Sequence, residues 1–328
     1  MKLVIALHHR FELWTAPAWV RDRLQKDFPQ VEVVQLPDYS GLEKEIVDAD
    51  AALAWSVRPE QLRAARKLRW IHSTAAAVHQ LMFPELVASD VVVTNSRSVH
   101  GPVVAEHALA LMFAVARKIP AAVRFQQQRV WGQERSWREA PVPGELQDAT
   151  LGLIGLGSIG CEIARRAAGL GMRVLAVREH PERGSVEGVE AVYGPARLAE
   201  ALAASDYVVL AAPVTASTKR LMDSARLAQM QAHACLVNVG RGALVDESAL
   251  TAALREKRIA SAALDVFQEE PLPADSPLWC LENVLITPHT GAVTGRLWER
   301  QYVLIAENLR RFLADEPLLG MVDKRKGY

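Results

Sequence analysis

Cysteine is scarce in this 328-residue chain: Cys161, Cys235 and Cys280 are the three it has. An odd, scattered set argues against a disulfide framework and against a metal site. It suits a reducing cytosol, where each thiol packs as a small apolar side chain. An excess of either charge is missing too. Lys plus Arg and Asp plus Glu both number 38, so no global field favours nucleic acid or an anionic membrane. No charge-free apolar stretch approaches the ~20 residues a bilayer helix requires. The run Met1-Lys-Leu-Val-Ile-Ala-Leu-His is too short for a signal segment and reads as a buried strand. There is no internal repeat and no low-complexity segment. A cytoplasmic protein with neither a nucleic-acid nor a membrane partner is expected.

What is present is the composition of a globular enzyme: 50% hydrophobic and 23% charged residues. The length exceeds one ordinary core, so two domains are expected. Apolar runs at 2–7, 31–36, 51–55 and 68–73 read as strands. Between them lie helical patterns such as Pro17 to Phe28, with Trp19, Val20, Leu24 and Phe28 facing inward. Pro102 to Lys118 reads as a long apolar helix stopped by Pro120, and 124–147, with Arg129, Trp131 and Trp137, as an irregular cover whose tryptophans pack. A second alternating series follows: strand 150–154, helix 158–170, strand 172–177, then strands at 207–211, 235–238, 261–264 and 284–287. Helix 294–314 is expected to return to the first domain. Strand–helix alternation of this kind builds parallel sheets. The fold class is therefore α/β, with two doubly wound parallel-sheet domains. Residues 98–292 form a six-stranded Rossmann-type cofactor domain; 1–97 and 293–328 form a smaller, discontinuous, flavodoxin-like substrate domain.

The turn Gly155-Leu-Gly157-Ser158-Ile159-Gly160 follows an apolar strand and opens a helix, the context that makes a Gly-x-Gly-x-x-Gly pattern specific for a dinucleotide. Gly155 permits the tight turn, Gly157 lets backbone approach the pyrophosphate, and Gly160 lets helix and strand touch. N–H groups at the helix start, around Ser158 and Ile159, are expected to face the phosphates. After the next strand an acid would bond the ribose hydroxyls, yet Arg178 stands there. A cation at that place suits a 2′-phosphate, so NADP is expected; Glu179 keeps NAD as the alternative.

Three polar residues follow later apolar strands: Arg241 in Asn-Val-Gly-Arg-Gly, Glu270 in Gln-Glu-Glu-Pro, and His289 in Thr-Pro-His-Thr-Gly. Strand C-terminal ends form the ligand rim of an open α/β sheet. Arg241 can grip a carboxylate with its planar fork, and Gly240 and Gly242 beside it let backbone crowd the ligand. His289 can give a proton to a ketone oxygen, and Glu270 can fix its tautomer and raise its pKa. No side chain supplies a hydride, so a nicotinamide must. These parts suit reduction of a 2-keto acid. His72, His79 and His100 lack such placement, and core or surface roles are expected of them.

At this point the chain resembles the D-isomer-specific 2-hydroxyacid dehydrogenases. The likeness runs through Thr94-Asn95, Ala105-Glu106-His107, the glycine turn, Asn238 to Glu247, Leu264-Asp265-Val-Phe, Glu270-Pro-Leu-Pro and Thr287-Pro-His-Thr-Gly-Ala. It implies catalytic roles for Arg241, Glu270 and His289. It further implies that Val239, Asp265 and Gly291 hold the nicotinamide carboxamide, and that Pro213 and Thr218 lie against the dinucleotide. Ser73 to Val78 resembles the family's substrate loop, whose N–H groups bind the carboxylate, so Ala76 and Ala77 become substrate-binding candidates. The family has glycines there, and alanine resists positive φ. The chain leaves no room for the regulatory C-terminal domain of longer phosphoglycerate dehydrogenases, so a short reductase of glyoxylate, hydroxypyruvate or a related keto acid is implied. Glu270 argues against the formate-oxidising relatives, which pair their histidine with glutamine. The resemblance also implies a homodimer, to which helix 102–118 could contribute, and an interdomain cleft that closes over the substrate. The alternative from another class is a nucleotide-sensing, corepressor-like interaction protein on the same scaffold.

Overall fold

The computed structural model describes residues 1–139, 141–325 and 327. Lys326 and Tyr328, at the end of the expected substrate domain, lie outside the described residues. Two compact units emerge: Met1–His100 with Val293–Tyr328, and Gly101–Ala292.

In the first unit β1 (Lys2–Ala6), β2 (Glu32–Gln35), β3 (Ala51–Ala54), β4 (Trp70–Ser73) and β5 (Val92–Asn95) form a parallel sheet. Among the described residues its order is β2-β1-β3-β4-β5, the flavodoxin-like winding. Strand β3 is Ala-Ala-Leu-Ala and wholly buried, as expected of a parallel sheet covered on both faces. Helix Leu297–Leu313 lays Trp298, Tyr302, Ile305, Leu309 and Phe312 into the core with Leu3, Ile5 and Trp70. The helix after β1 runs Ala18–Asp27 and buries Val20 and Leu24. Trp19, expected inward, is exposed, because it precedes Val20 by one residue and so falls about 100° away around the helix.

The second unit carries β6 (Thr150–Ile154), β7 (Arg173–Val177), β8 (Ala191–Tyr193), β9 (Tyr207–Leu210), β10 (Cys235–Asn238), β11 (Ser261–Leu264) and β12 (Val284–Ile286). All are parallel, in the order β12-β11-β10-β9-β6-β7-β8. The sheet thus has seven described strands where six were expected, the addition being the short edge strand β8. The chain leaves β6 toward β7, then returns on the other side at β9, so the switch point lies between β6 and β9.

Helix Gly101–Ala116 owes its apolar length to packing inside this unit: Val104, Ala105, Ala108, Leu111 and Met112 are buried with Ile163, Ala164 and Ala167 of helix Ser158–Gly169. The following segment is not irregular, since helices Ile119–Gln128 and Gln133–Arg138 occupy it. Pro120 stands in the first turn of the former, where a missing N–H costs nothing. Lys118 makes the break, at φ +53°. Trp131 and Trp137, expected to pack, are 89% and 66% exposed. Among the described residues no helix is long and apolar enough to cross a membrane.

Candidate active site

The glycine turn lies at the β6–β9 switch point. Gly155 has φ +101°, and a Cβ there would come within 2.6 Å of the Ala212 nitrogen beyond β9. A Cβ on Gly160 would stand 2.1 Å from the Gly155 carbonyl oxygen, so only hydrogen lets helix and turn meet. A Cβ on Gly157 would meet nothing within 4 Å: its outer side is open for a ligand. Gly157 caps helix Ser158–Gly169, whose first N–H groups have no intrahelical acceptor and carry the positive end of the helix dipole. Ser158 is exposed and Ile159 half-buried. Open space, a tight turn and oriented donors fit a dinucleotide pyrophosphate.

β7 ends at Val177, so Arg178 is the first residue past the strand. Its backbone N–H donates to Tyr193 and its guanidinium donates to the Gly184 carbonyl at 2.7 Å. Arg178 Nε is buried with no partner among the described residues, whereas Glu179 is exposed. Beyond β9, Thr218 donates to the Pro213 carbonyl at 2.7 Å and accepts from Thr215 N–H. That hydroxyl shapes its own loop, which brings Pro213 and Thr218 together.

The three catalytic candidates lie beyond the C-terminal ends of β10, β11 and β12. Glu270 Oε2 and His289 Nδ1 are 2.6 Å apart, and Glu270 Oε1 accepts from Phe267 N–H at 2.9 Å. Burial would raise the Glu270 pKa. The bonds from His289 and Phe267, with the His289 and Arg241 charges, more than offset that and hold its carboxyl below the usual range. It is therefore the charged partner that keeps hydrogen on Nδ1 and leaves His289 Nε2 for a ligand. Arg241 is exposed along part of its side chain and donates to Gly240 O at 2.6 Å. Burial lowers its pKa while the Glu270 charge raises it; a guanidinium stays charged throughout. The flanking glycines answer to protein rather than ligand. A Cβ on Gly242 would fall 1.8 Å from the Phe267 carbonyl carbon, and one on Gly240 2.9 Å from Leu244.

Asn238, His107 and Thr287, to which the sequence assigned no role, organise the site together with Asp265. Asn238, buried at the end of β10, accepts from Gly240 N–H at 3.1 Å and donates to Arg241 O at 3.0 Å, which clamps the arginine loop. Asp265 Oδ1 accepts from Thr287 Oγ1 at 2.6 Å and Thr290 N–H at 2.9 Å, and Oδ2 accepts from Gly291 N–H at 2.9 Å. His107, on helix Gly101–Ala116, reaches Thr287 Oγ1 at 3.0 Å and Asp265 Oδ1 at 3.2 Å. Burial would raise the Asp265 pKa, but bonds from His107, Thr287, Gly291 and Thr290 bring it below normal. This carboxylate thus ties down the turn that holds His289 at φ +52°, a left-handed conformation that a non-glycine residue keeps only under constraint. Val239 is buried and donates to Leu210 O at 3.2 Å. The Ala-Glu-His and Thr-Pro-His motifs were the sequence signals for His107 and Thr287, but nothing local paired them.

Ala76 and Ala77 belong to the other unit, in the loop after β4. None of Ala75, Ala76 and Ala77 has a positive φ, so alanine forms this loop without strain. Its carbonyls are held from within: Ser96 N–H donates to Ala75 O at 3.2 Å, Asn95 Nδ2 to Ala76 O at 2.8 Å, and Gln301 Nε2 to Thr74 O at 2.7 Å. The N–H groups of Ala76, Ala77 and Val78 have no acceptor among the described residues. Three successive free donors suit an anion.

Residues 109–291 match the family described as D-isomer specific 2-hydroxyacid dehydrogenase, NAD binding domain. A glyoxylate reductase of Pyrococcus furiosus is 36% identical over 310 residues, 92% of this chain and 91% of that one. Among solved structures, a D-isomer specific 2-hydroxyacid dehydrogenase of Xanthobacter autotrophicus, in complex with NADPH and MES, is 32% identical. It covers 100% of this chain and 99% of its own, with a TM-score of 0.81. An NADPH-dependent glyoxylate/hydroxypyruvate reductase of Sinorhizobium meliloti, in complex with NADP and sulfate, is 26% identical over 100% and 99% of the two chains, also with a TM-score of 0.81.

Proposed function

Because the chain belongs to the D-isomer specific 2-hydroxyacid dehydrogenase family, we propose that it reduces small 2-keto acids such as glyoxylate or hydroxypyruvate with NADPH. Membership makes it an NAD(P)-dependent oxidoreductase acting on 2-keto acids and the corresponding D-2-hydroxy acids. The relatives named above bear reductase and dehydrogenase names and lend the corepressor-like alternative no support.

The observation that carries the residue assignments is the 2.6 Å pair of His289 Nδ1 and Glu270 Oε2, placed with Arg241 on the ligand rim of the sheet. Arg241 grips the substrate carboxylate with its fork and withdraws electron density from the neighbouring ketone. His289 Nε2 donates a proton to the ketone oxygen as the alcohol forms, and accepts it in reverse. Glu270, held ionised, stabilises the imidazolium before donation and keeps the ring oriented afterward. Ala76 and Ala77 offer N–H groups to the carboxylate. A bound nicotinamide supplies the hydride; Gly155, Gly157, Ser158, Ile159, Gly160, Pro213, Thr218, Val239, Asp265 and Gly291 are the positions assigned to the dinucleotide. Arg178, whose buried Nε has no partner among the described residues, favours a 2′-phosphate. Homodimer assembly through the cofactor-binding unit completes the reading.

The test is oxidation of NADPH and of NADH by glyoxylate and hydroxypyruvate. Turnover should be well above background with NADPH and weaker with NADH, and Arg178→Ala should erase that preference. His289→Ala should cut kcat by about 10²–10⁴-fold, and Arg241→Ala should raise KM as well as lower kcat. Unaltered kinetics in His289→Ala or Arg241→Ala would remove that residue from the mechanism.

A further inference from the structure

The loop bearing the free N–H groups of Ala76, Ala77 and Val78 is walled on its own unit by aromatic rings. Thr74, which leads into that loop, is the point they share. The Trp55 indole nitrogen at the end of β3 donates to Thr74 Oγ1, and His100 Nε2 lies 3.4 Å from Thr74 O. Trp14 packs edge-on against His100, with ring centres 6.5 Å apart, and Phe11 stands edge-on to Trp14 at 6.1 Å. His9 leans on Trp55 at 5.3 Å. The 3-10 turn Glu12–Trp14 is pinned from the returning helix by Trp298 Nε1, which donates to Leu13 O at 2.7 Å. These residues follow the C-terminal ends of β1, β3, β4 and β5, the edge on which an open parallel sheet receives ligands.

The rings are not sealed in a core. Phe11 is 47% exposed, Trp14 and Trp55 are half-buried, and the three adjoining alanines are half-buried as well. A two-carbon keto acid has no side chain. Its carboxylate would use the N–H groups and leave these aromatic faces in water. A substrate with an aromatic side chain would cover them through offset or edge-to-face contact, hiding roughly 150–250 Å² of its own apolar surface.

We propose that Phe11, Trp14 and Trp55 form the substrate side-chain subsite and direct this enzyme to 2-keto acids bearing an aromatic group. The inference deepens the keto-acid reductase reading and rests on it. The experiment measures kcat/KM of the full chain with NADPH for phenylpyruvate and for glyoxylate, then repeats both with Trp14→Ala and Trp14→Phe. The wild type should favour phenylpyruvate by at least about tenfold, the scale on which apolar pockets discriminate. Trp14→Ala should lower kcat/KM for phenylpyruvate about tenfold more than for glyoxylate, mainly through KM, and Trp14→Phe should restore most of the ratio. Wild-type activity with glyoxylate equal to or above that with phenylpyruvate overturns the inference and leaves the reductase reading intact, as does an equal loss on both substrates in Trp14→Ala. No reduction of either acid by protein that binds NADPH overturns the reductase reading itself.

Discussion

Two histidines sit in opposite surroundings. His289 is half exposed and paired with the Glu270 carboxylate. His72 is fully buried, with Nδ1 2.8 Å from Thr94 Oγ1 and Nε2 3.0 Å from Ser96 Oγ. Its surroundings assign the tautomer. The Trp70 indole can only donate, and it does so to Thr94 at 2.8 Å. Thr94 then gives its hydrogen to His72 Nδ1, His72 Nε2 donates to Ser96, and Ser96 donates to Gln301 Oε1 at 2.6 Å. Gln301 Nε2 is left to hold Thr74 O, at the root of the loop after β4. A second proton on His72 would oppose the Thr94 hydrogen in a dry site, and burial pushes its pKa down from 6.5 to about 3. In this case the unfolded chain binds the extra proton first. The stability is therefore fully present above the unfolded pKa of 6.5 and is lost as pH falls from there toward the folded value of about 3. Linkage gives a loss of about 2 kcal/mol between pH 7 and pH 5 from this one group. Urea unfolding at the two pH values, for wild type and His72→Gln, should show that increment in the former and not in the latter. An equal pH dependence in both would mean His72 is not the source.

At the scale of elements, the glycines of one turn separate a ligand role from a packing role. Gly160→Ala drives a methyl into the Gly155 carbonyl at 2.1 Å and should cost about 1–3 kcal/mol of stability without any ligand, the usual penalty of overpacking. Gly157→Ala meets open space. It should leave unfolding within about 0.5 kcal/mol of wild type while weakening dinucleotide binding about tenfold. Thermal unfolding of the ligand-free variants beside a dinucleotide titration tests the pair; normal binding by Gly157→Ala would sink the cradle. The same contrast explains what was legible beforehand. Buried strands such as Leu151–Ile154 and Cys235–Val237 are unbroken apolar runs, and Arg241 and His289 stand out as the polar residues that follow such strands. β8 escaped notice because Ala191–Tyr193 is three half-buried residues at the sheet edge. The helices after residue 118 escaped because Pro120 reads equally as a stop and as a first-turn residue. Asn238, His107 and Thr287 could not be given their parts: His107 and Thr287 are 180 residues apart in sequence, and only the folded sheet makes them neighbours.

For the molecule as a whole, the apolar surface of the cofactor-binding unit bears on assembly. Phe113, on the last turn of helix Gly101–Ala116, and Ile119, Val123, Trp131, Trp137 and Val142, between that helix and β6, are all exposed. Soluble monomers seldom carry so many large apolar side chains on one segment without a partner. Among the described residues Trp131 bonds only across its own turn, to Gln133 Oε1, and its ring is exposed rather than folded in. The chain has no net charge, so no global repulsion opposes self-association. Tryptophan and phenylalanine are the residues that anchor interfaces, and a second copy of the same segment offers a self-complementary match under twofold symmetry. Sedimentation should find a dimer at micromolar concentration. Trp131→Ser combined with Trp137→Ser should weaken that dimer about a thousandfold, as loss of two anchors at about 2 kcal/mol each implies. The double variant should keep its dinucleotide affinity, because neither tryptophan lies on the ligand rim of the sheet. A wild type that sediments as a monomer would leave these side chains to another partner and remove the homodimer from the functional reading.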